Sequence, residues 1–375
     1  MTGEGGVEVT VRAGAGNYPV LVERGIHAGL SRILRERAPA HRYAFISDDV
    51  VGPLYAEPLV AAARDAGLDA MLLTFPAGET SKTRKRWSIL TDQMLDASMG
   101  RDTVVVAVGG GVVGDLAGFV AATFLRGVPV VQVPTSLVAM IDSSVGGKTG
   151  VDAKAGKNLV GAFHPPAAVV VDPDVAGTLS PQERAQGLAE AMKHGAILDA
   201  AYFDRLVAHA DALMAGEAAA TGWAVVRSVE LKADVVSRDE REAGLREILN
   251  FGHTLGHAME AASGYTLRHG DAVAAGMVLE ARHGERVGVT REGTARRLED
   301  GLSSFGLGAM PPVPGGDAGM LSFLGADKKV RRGRPRLVLL RAIGEVARED
   351  GWSREVDHEA LEGLLIDALG QGSRE

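Results

Sequence analysis

Three histidines fall close together in "NFGHTLGHAMEAASGYTLRHG": His253 and His257 are four residues apart, and His269 follows a short loop. A histidine pair at i and i+4 on one helix can hold zinc, as in the H-E-x-x-H arrangement of metalloproteases. Here Thr254 follows His253, so the protease reading lacks its general base. Upstream, "GLAEAMKHG" sets Glu190 and Lys193 three apart, on one face if the segment is helical. A mixed histidine and carboxylate site, with Glu190 supplied by the preceding helix, therefore stays open. The chain has no cysteine, which excludes a disulfide framework, a thiolate nucleophile and a cysteine zinc site.

In "LREILNFGHTLGHAMEAA", Arg246, Asn250, His253 and His257 recur at steps of four, three and four. As one helix, the segment would align four polar groups on an otherwise apolar rod, an arrangement that is costly unless they line a site. A glycine-rich stretch, "SSVGGKTGVDAKAGKNLVGAF", carries Lys148, Lys154, Lys157 and Asn158 shortly after Asp142. Lysines in such a loop suit phosphate or carboxylate binding, against the plainer reading of a solvated surface loop. Finally, "TVVVAVGGGVVGDLAGFVA" places Gly109, Gly111 and Gly114 in a G-x-G-x-x-G pattern between a strand and a helix. That context lets backbone N–H groups approach a pyrophosphate. No acidic residue ends the next strand, "VPVVQVPTS", so Asp48 and Asp49 are the alternative ribose partners if their strand lies beside the glycine loop.

The elements that must position these groups change character along the chain. "VEVTVRAG", "YAFISDD", "AMLLTFP", "TVVVAVGGG", "VPVVQVPTS" and "AAVVVDP" read as strands separated by helical stretches, the alternation of βαβ units with a mainly parallel sheet. From "SPQERAQGLAEAMKHGAI" onward the pattern is mainly helical, except for a strand in "RPRLVLLRAIGEV". We therefore expect an α/β Rossmann-like domain over residues 1–179 and an all-α or mainly helical domain over 180–375. A chain of 375 residues is long enough for two cores. A net charge of −8 argues against a nucleic-acid surface. The lack of a membrane-length apolar run or a leader pattern makes a cytoplasmic protein the expectation.

Several longer motifs, "VGGGVVGDLAGFVA", "PTSLVAMIDSSVGGKTGV", "KNLVGAFHPP", "GLAEAMKHG", "DEREAGLREILNFGHTLGHAME" and "RHGDAVAAGM", resemble those of 3-dehydroquinate synthases. The match runs in order from "ISDD" to "DKKV". The resemblance implies an NAD-binding domain, a helical domain carrying a divalent metal, usually zinc with cobalt as an alternative, and a homodimer. It places the metal ligands on Glu190, His253 and His269. For NAD it implies Asp48, Glu79, Lys82, Gly109, Gly110, Gly111, Asp115, Thr135, Ser136, Lys157 and Thr178. Gln186 stands where some members have asparagine.

The anionic sugar phosphate so implied is 3-deoxy-D-arabino-heptulosonate 7-phosphate. Its contacts would be Asp142, Lys148, Asn158, Lys193, Lys232, Arg246, Asn250, His257 and one of Lys328 and Lys329, with Arg126 reaching the neighbouring subunit. His257 and Glu242 match positions with proton-transfer roles, and Lys193, Arg246 and Asn250 complete the catalytic group. The implied reaction is transient oxidation by NAD, phosphate elimination, re-reduction and aldol closure. Sister cyclases such as 2-deoxy-scyllo-inosose synthase act on substrates without a carboxylate, and the retained Arg246 and Asn250 favour dehydroquinate synthesis over them. These residues do not separate it from aminodehydroquinate synthesis. A polyol dehydrogenase of the same fold is the rival of another class.

Overall fold

The computed structural model describes residues 6–14, 16–154, 156–311, 335–348, 351–357 and 359–364. Two compact units are present, one formed by Met1–Ser180 with Gly216–Glu240, the other by Pro181–Ala215 with Arg241–Glu375.

The first unit opens with β1 (Val7–Val11), β2 (Tyr18–Val22), α1 (Leu30–Arg37), β3 (Arg42–Asp48), α2 (Glu57–Asp65) and β4 (Asp69–Phe75). It continues through α3 (Arg84–Asp96), β5 (Thr103–Gly109), α4 (Gly111–Thr123), β6 (Val130–Pro134), β7 (Lys148–Ala153), β8 (Gly156–Phe163) and β9 (Ala168–Val171). Seven strands form one sheet in the order β1-β2-β9-β6-β5-β3-β4, parallel except for the β1–β2 pair. The interior strand β5, between β6 and β3, is buried along its whole length. Its Val104, Val106 and Val108 join one core with Leu34 and Val60, and its Val105 and Ala107 join another with Leu90 and Leu116. Burial on both faces explains why "TVVVAV" is a continuous apolar run without alternation.

The lysine-bearing glycine segment departs from the expected loop. It folds into the antiparallel hairpin β7–β8, pairing Lys148 with Phe163 and Val151 with Val160. Val151 is fully buried in the same core as α4. Apolar residues were present in the segment, but glycine and lysine masked their alternation.

The second unit contains α5 (Pro181–Leu198), α6 (Ala200–Ala208) and α7 (Ala210–Ala215). The next helix, α8 (Ala218–Arg238), belongs to the first unit, which corrects the expectation that everything after residue 180 lies in the second domain. Long-range hydrogen bonds hold it there: Arg12 N–H donates to Ser237 Oγ at 3.1 Å and Gly14 N–H to Glu240 Oε2 at 2.8 Å, tying the end of α8 to the segment after β1. The chain then forms α9 (His253–Ala262), α10 (His269–Arg286) and α11 (Thr294–Ser303). Short pairings follow, β10 (Arg336–Leu337) with β13 (Arg354–Glu355) and β11 (Leu340–Ala342) with β12 (Glu345–Val346). Among the described residues no helix is long and apolar enough to cross a membrane.

The expected single helix from Arg246 to His257 is absent. Leu245–Asn250 is a 3-10 turn, Gly252 adopts φ 76°, and α9 begins only at His253. A Cβ at Gly252 would stand 2.4 Å from Met277 Cγ and 2.6 Å from Val273 O, so α10 packs directly on this backbone. Gly276 answers from α10, where a Cβ would lie 2.1 Å from Gly252 O. The break starts α9 and its His253 against α10. Gly276→Ala should force the two backbones apart. We expect a loss of about 1–3 kcal/mol from overpacking, partly offset by the ~1 kcal/mol that alanine gains over glycine in a helix. Urea denaturation midpoints measure it, and an unchanged midpoint would contradict the close approach.

Candidate functional site

In the second unit, the start of α9, the start of α10 and the middle of α5 bring three donors together. Ligand atoms of Glu190, His253 and His269 lie within 4.8 Å of one another. Glu190 Oε1 is the common point, 3.2 Å from His269 Nε2 and 3.5 Å from His253 Nε2. His257, one turn along α9, stacks edge-on to His253 with ring centroids 5.4 Å apart, and its ring is 6.0 Å from that of His269. A mixed nitrogen and oxygen set of this size fits a borderline divalent cation.

The electrostatics suit such an ion. Burial alone would raise the Glu190 carboxyl pKa, but Lys193 and His253 outweigh it and hold it well below the usual range. Lys193 Nζ pairs directly with Glu190 Oε2, both residues being buried. Desolvation would lower the His269 pKa, but hydrogen bonds to Glu190 and Glu260 raise it to about 10. The cluster thus favours positive charge at its centre.

Around this centre Asn250 donates from Nδ2 to Glu242 Oε1 at 2.6 Å, joining two residues expected in the catalytic group. Glu242 holds a left-handed backbone with φ 60°, uncommon for a side chain of its size. Arg246 is 2% exposed, a guanidinium buried in the same unit. Gln186, left outside the expected set, accepts the Gly270 N–H at 2.6 Å and so fastens α5 to the first turn of α10 beside His269.

In the first unit, β3 and β5 are parallel neighbours, so the condition for Asp48 to face the glycine loop is met in strand order. β3 leads to β4 on one side, and β5 leads through α4 to β6 on the other. A crevice opens at the carboxyl ends of such a reversal, the usual ligand site of doubly wound sheets. Gly109, Gly110 and Gly111 run from the end of β5 into α4. Asp48 Oδ1 accepts the Val50 and Val51 N–H groups at 3.0 and 2.7 Å, shaping the turn after β3. Thr135 N–H donates to Gly109 O at 2.9 Å, and Ser136 Oγ accepts the Ala139 N–H at 3.3 Å. Thr178 Oγ1 hydrogen-bonds Tyr55 Oη at 2.6 Å.

Four further expected residues form one charge cluster. Lys82 Nζ lies 2.9 Å from Glu79, 3.2 Å from Asp115 and 3.8 Å from Asp152, and Lys157 Nζ lies 3.9 Å from Glu79. Burial pushes the Asp115 carboxyl up to about 6, against the opposing pull of Lys82. Separately, Lys232 on α8 reaches Asp142 Oδ1 at 2.8 Å and Asp142 O at 2.7 Å. Lys148 is exposed on β7, while Asn158 and Arg126 are exposed and take positive φ of 54° and 74°. Lys328 and Lys329 lie outside the described residues.

With this geometry in view, comparison with known proteins is decisive. The family model described as 3-dehydroquinate synthase N-terminal matches residues 72–186, and the one described as 3-dehydroquinate synthase C-terminal matches 187–330. The chain belongs to the 3-dehydroquinate synthase family. The 3-dehydroquinate synthase of Pelobacter propionicus is 45% identical over 90% of this chain and 94% of its own length. That of Halorhodospira halophila is 44% identical over 96% and 99%.

Solved structures extend the family's fold. The 2-epi-5-epi-valiolone synthase of Streptomyces hygroscopicus, with NAD+ and Zn2+ bound, has a TM-score of 0.84 at 28% identity, covering 94% of this chain and 97% of that one. A 2-deoxy-scyllo-inosose synthase complexed with carbaglucose-6-phosphate, NAD+ and Co2+ has a TM-score of 0.90 at 23% identity, covering 96% and 100%. At that identity the second comparison concerns the fold alone.

For this dehydroquinate synthase family member, motif reading missed two carboxylates that the fold brings into play. Asp152 joins the Lys82 cluster from β7, while Glu260 stands beside His269. The first has no spacing signal, since the glycines and lysines around it give its segment the composition of a loop. The second does: Glu260 is three residues beyond His257 on α9, on the same helical face.

Proposed function

We propose that the chain converts 3-deoxy-D-arabino-heptulosonate 7-phosphate to 3-dehydroquinate and phosphate as an NAD- and metal-dependent carbon–oxygen lyase. Dehydroquinate synthesis itself follows from the family, with relatives of that name 44% to 46% identical over most of the chain. The single observation that carries the metal-dependent reading is the convergence of Glu190, His253 and His269 within 4.8 Å. The bound NAD+ and Zn2+ of the valiolone synthase support NAD and a divalent cation here, and zinc is the ion we propose, with cobalt as the alternative. When bound, NAD would take and return a hydride while the metal acts as a Lewis acid on substrate oxygen.

The chain's own residues would then divide the work. Glu190, His253 and His269 hold the metal, and Lys193 balances the buried Glu190 charge. Arg246 supplies a fixed guanidinium for a carboxylate or phosphate. Asn250, its amide nitrogen held by Glu242, presents its carbonyl oxygen to a substrate hydroxyl. His257 exchanges a proton near neutral pH, a role its imidazole can fill.

In the first unit, Asp142 steadies Lys232, which with Lys148 and Asn158 is assigned to anion binding. Gly109, Gly110 and Gly111 carry the pyrophosphate of NAD on backbone N–H groups. Asp48, Glu79, Lys82, Asp115, Thr135, Ser136, Lys157 and Thr178 surround the remainder of the cofactor. Arg126 is assigned to the neighbouring subunit of a cytoplasmic homodimer. Local cations explain how a chain of net charge −8 handles so anionic a substrate. Supplying the heptulosonate phosphate, NAD and zinc should release phosphate and form the carbocycle with no net NADH. Net NADH from an alcohol, without phosphate release, would support a dehydrogenase instead.

A further inference from the structure

The two candidate histidine ligands share an orientation. Each directs Nε2 toward Glu190 Oε1, at 3.5 Å for His253 and 3.2 Å for His269. Each also directs Nδ1 at a protein oxygen. For His253 that oxygen is the Phe251 carbonyl at 3.1 Å, set by the turn at Gly252. For His269 it is Glu260 Oε2 at 3.5 Å. The same Glu260 oxygen lies 3.9 Å from His257 Nε2.

Glu260 is only 2% exposed, near the end of an α9 whose Leu255, Ala258 and Met259 enter an apolar core. A carboxylate in such surroundings is costly without donors, and the imidazole N–H groups are suited to offset that cost. Its backbone serves the same end. Glu260 O accepts from Tyr265 N–H at 2.7 Å and from Ser263 Oγ at 2.8 Å, and Ser263 Oγ in turn accepts the Leu267 N–H at 3.1 Å. One residue thus fastens both the loop that leads to His269 and the ring of His269.

We propose that Glu260 is a positioning residue for the metal: by accepting from His269 Nδ1–H, it holds the tautomer and ring orientation that leave Nε2 as the ligand atom. This rests on the metal-site reading above and deepens it. A carboxylate on the far nitrogen of a ligating histidine fixes the ring and raises its basicity, and loss of such partners typically weakens metal binding about 10–100-fold. The rival role is equally definite, because His257, Glu260 and His269 form a second group with ligand atoms within 4.8 Å of one another.

The full chain, loaded with zinc alone, tests the proposal. Zinc affinity is measured by chelator competition, with cobalt substituted for a visible spectrum and circular dichroism to check folding. Glu260→Gln, nearly isosteric, should still bind one zinc per chain with a dissociation constant raised roughly 10–100-fold and altered cobalt bands. Glu260→Asp, which restores the charge at a shorter reach, should recover part of the affinity. Unchanged affinity and cobalt bands in Glu260→Gln would overturn the proposal. Loss of zinc as complete as in His269→Ala would overturn it too, making Glu260 a ligand. If Glu190→Gln and His269→Ala themselves keep full zinc affinity, it is the metal-site reading that fails.

Discussion

Glu190→Gln should strip the protein of its metal and of phosphate release together. Glu190 is 1% exposed and supplies the one oxygen that both His253 Nε2 and His269 Nε2 approach. Glutamine keeps the shape but removes the negative charge, leaving two neutral imidazoles and the adjacent Lys193 cation to face a dication. A Lewis-acid metal supplies several kcal/mol of charge stabilisation in the transition state. At about 1.4 kcal/mol per factor of ten, phosphate release should fall on the order of 10^3-fold.

Metal analysis of the purified variant and a phosphate-release assay check both effects. NAD binding, assigned to residues of the other unit, should be retained. Metal stoichiometry equal to that of the parent protein would defeat the ligand assignment, whatever happened to the rate. Loss of NAD binding would instead point to damage beyond the site, which circular dichroism would reveal.

How much of this was legible without coordinates follows from what each signal measures. The alternation of β-branched runs with helical stretches reports burial of both sheet faces, and β3, β4, β5, β6 and β9 stand where it put them. Strand β2, "YPVLV", and helix α1, "LSRILRER", are too short or too polar to be read this way. The polar stripe from Arg246 to His257 illustrates the opposite failure. Its spacing fits one helix, but spacing cannot register that α10 would collide with any side chain at 252. Tertiary packing broke the helix, and yet the functional residues stayed together because the 3-10 turn and α9 occupy the same unit.

Long-range contacts were the least legible. The return of α8 to the first unit rests on contacts between residues far apart in sequence, such as Gly14 N–H to Glu240, separated by 226 positions. Asp152 carries no motif of its own and Glu260 only its spacing from His257, and a lone carboxylate is ordinarily a solvated surface group. Their significance comes from buried partners supplied by other elements, Lys82 from the turn before α3 and His269 from α10.

Lys82→Met should produce the largest loss of stability, one that shrinks on acidification. Lys82 is 4% exposed and serves three carboxylates, Glu79, Asp115 and Asp152. Removing one member of a buried ion pair strands the other charge, at a cost of about 3–5 kcal/mol. The sign of the pH dependence comes from Asp115, whose folded pKa is raised to about 6 from 3.8. A raised carboxyl pKa means that the folded state holds the proton more tightly, so its contribution to stability is full below the unfolded value and lost as pH rises through about 6. Lys82 lowers that pKa, so methionine must move it higher still and widen the window over which stability is lost. The deficit of the variant against the parent should therefore be larger at pH 8 than near pH 6, by urea denaturation without NAD. A deficit equal at both pH values would show that stranded carboxylates are not its source. Adding Asp115→Asn to Lys82→Met should recover much of the loss at pH 8, because the desolvated charge is then removed along with its partner.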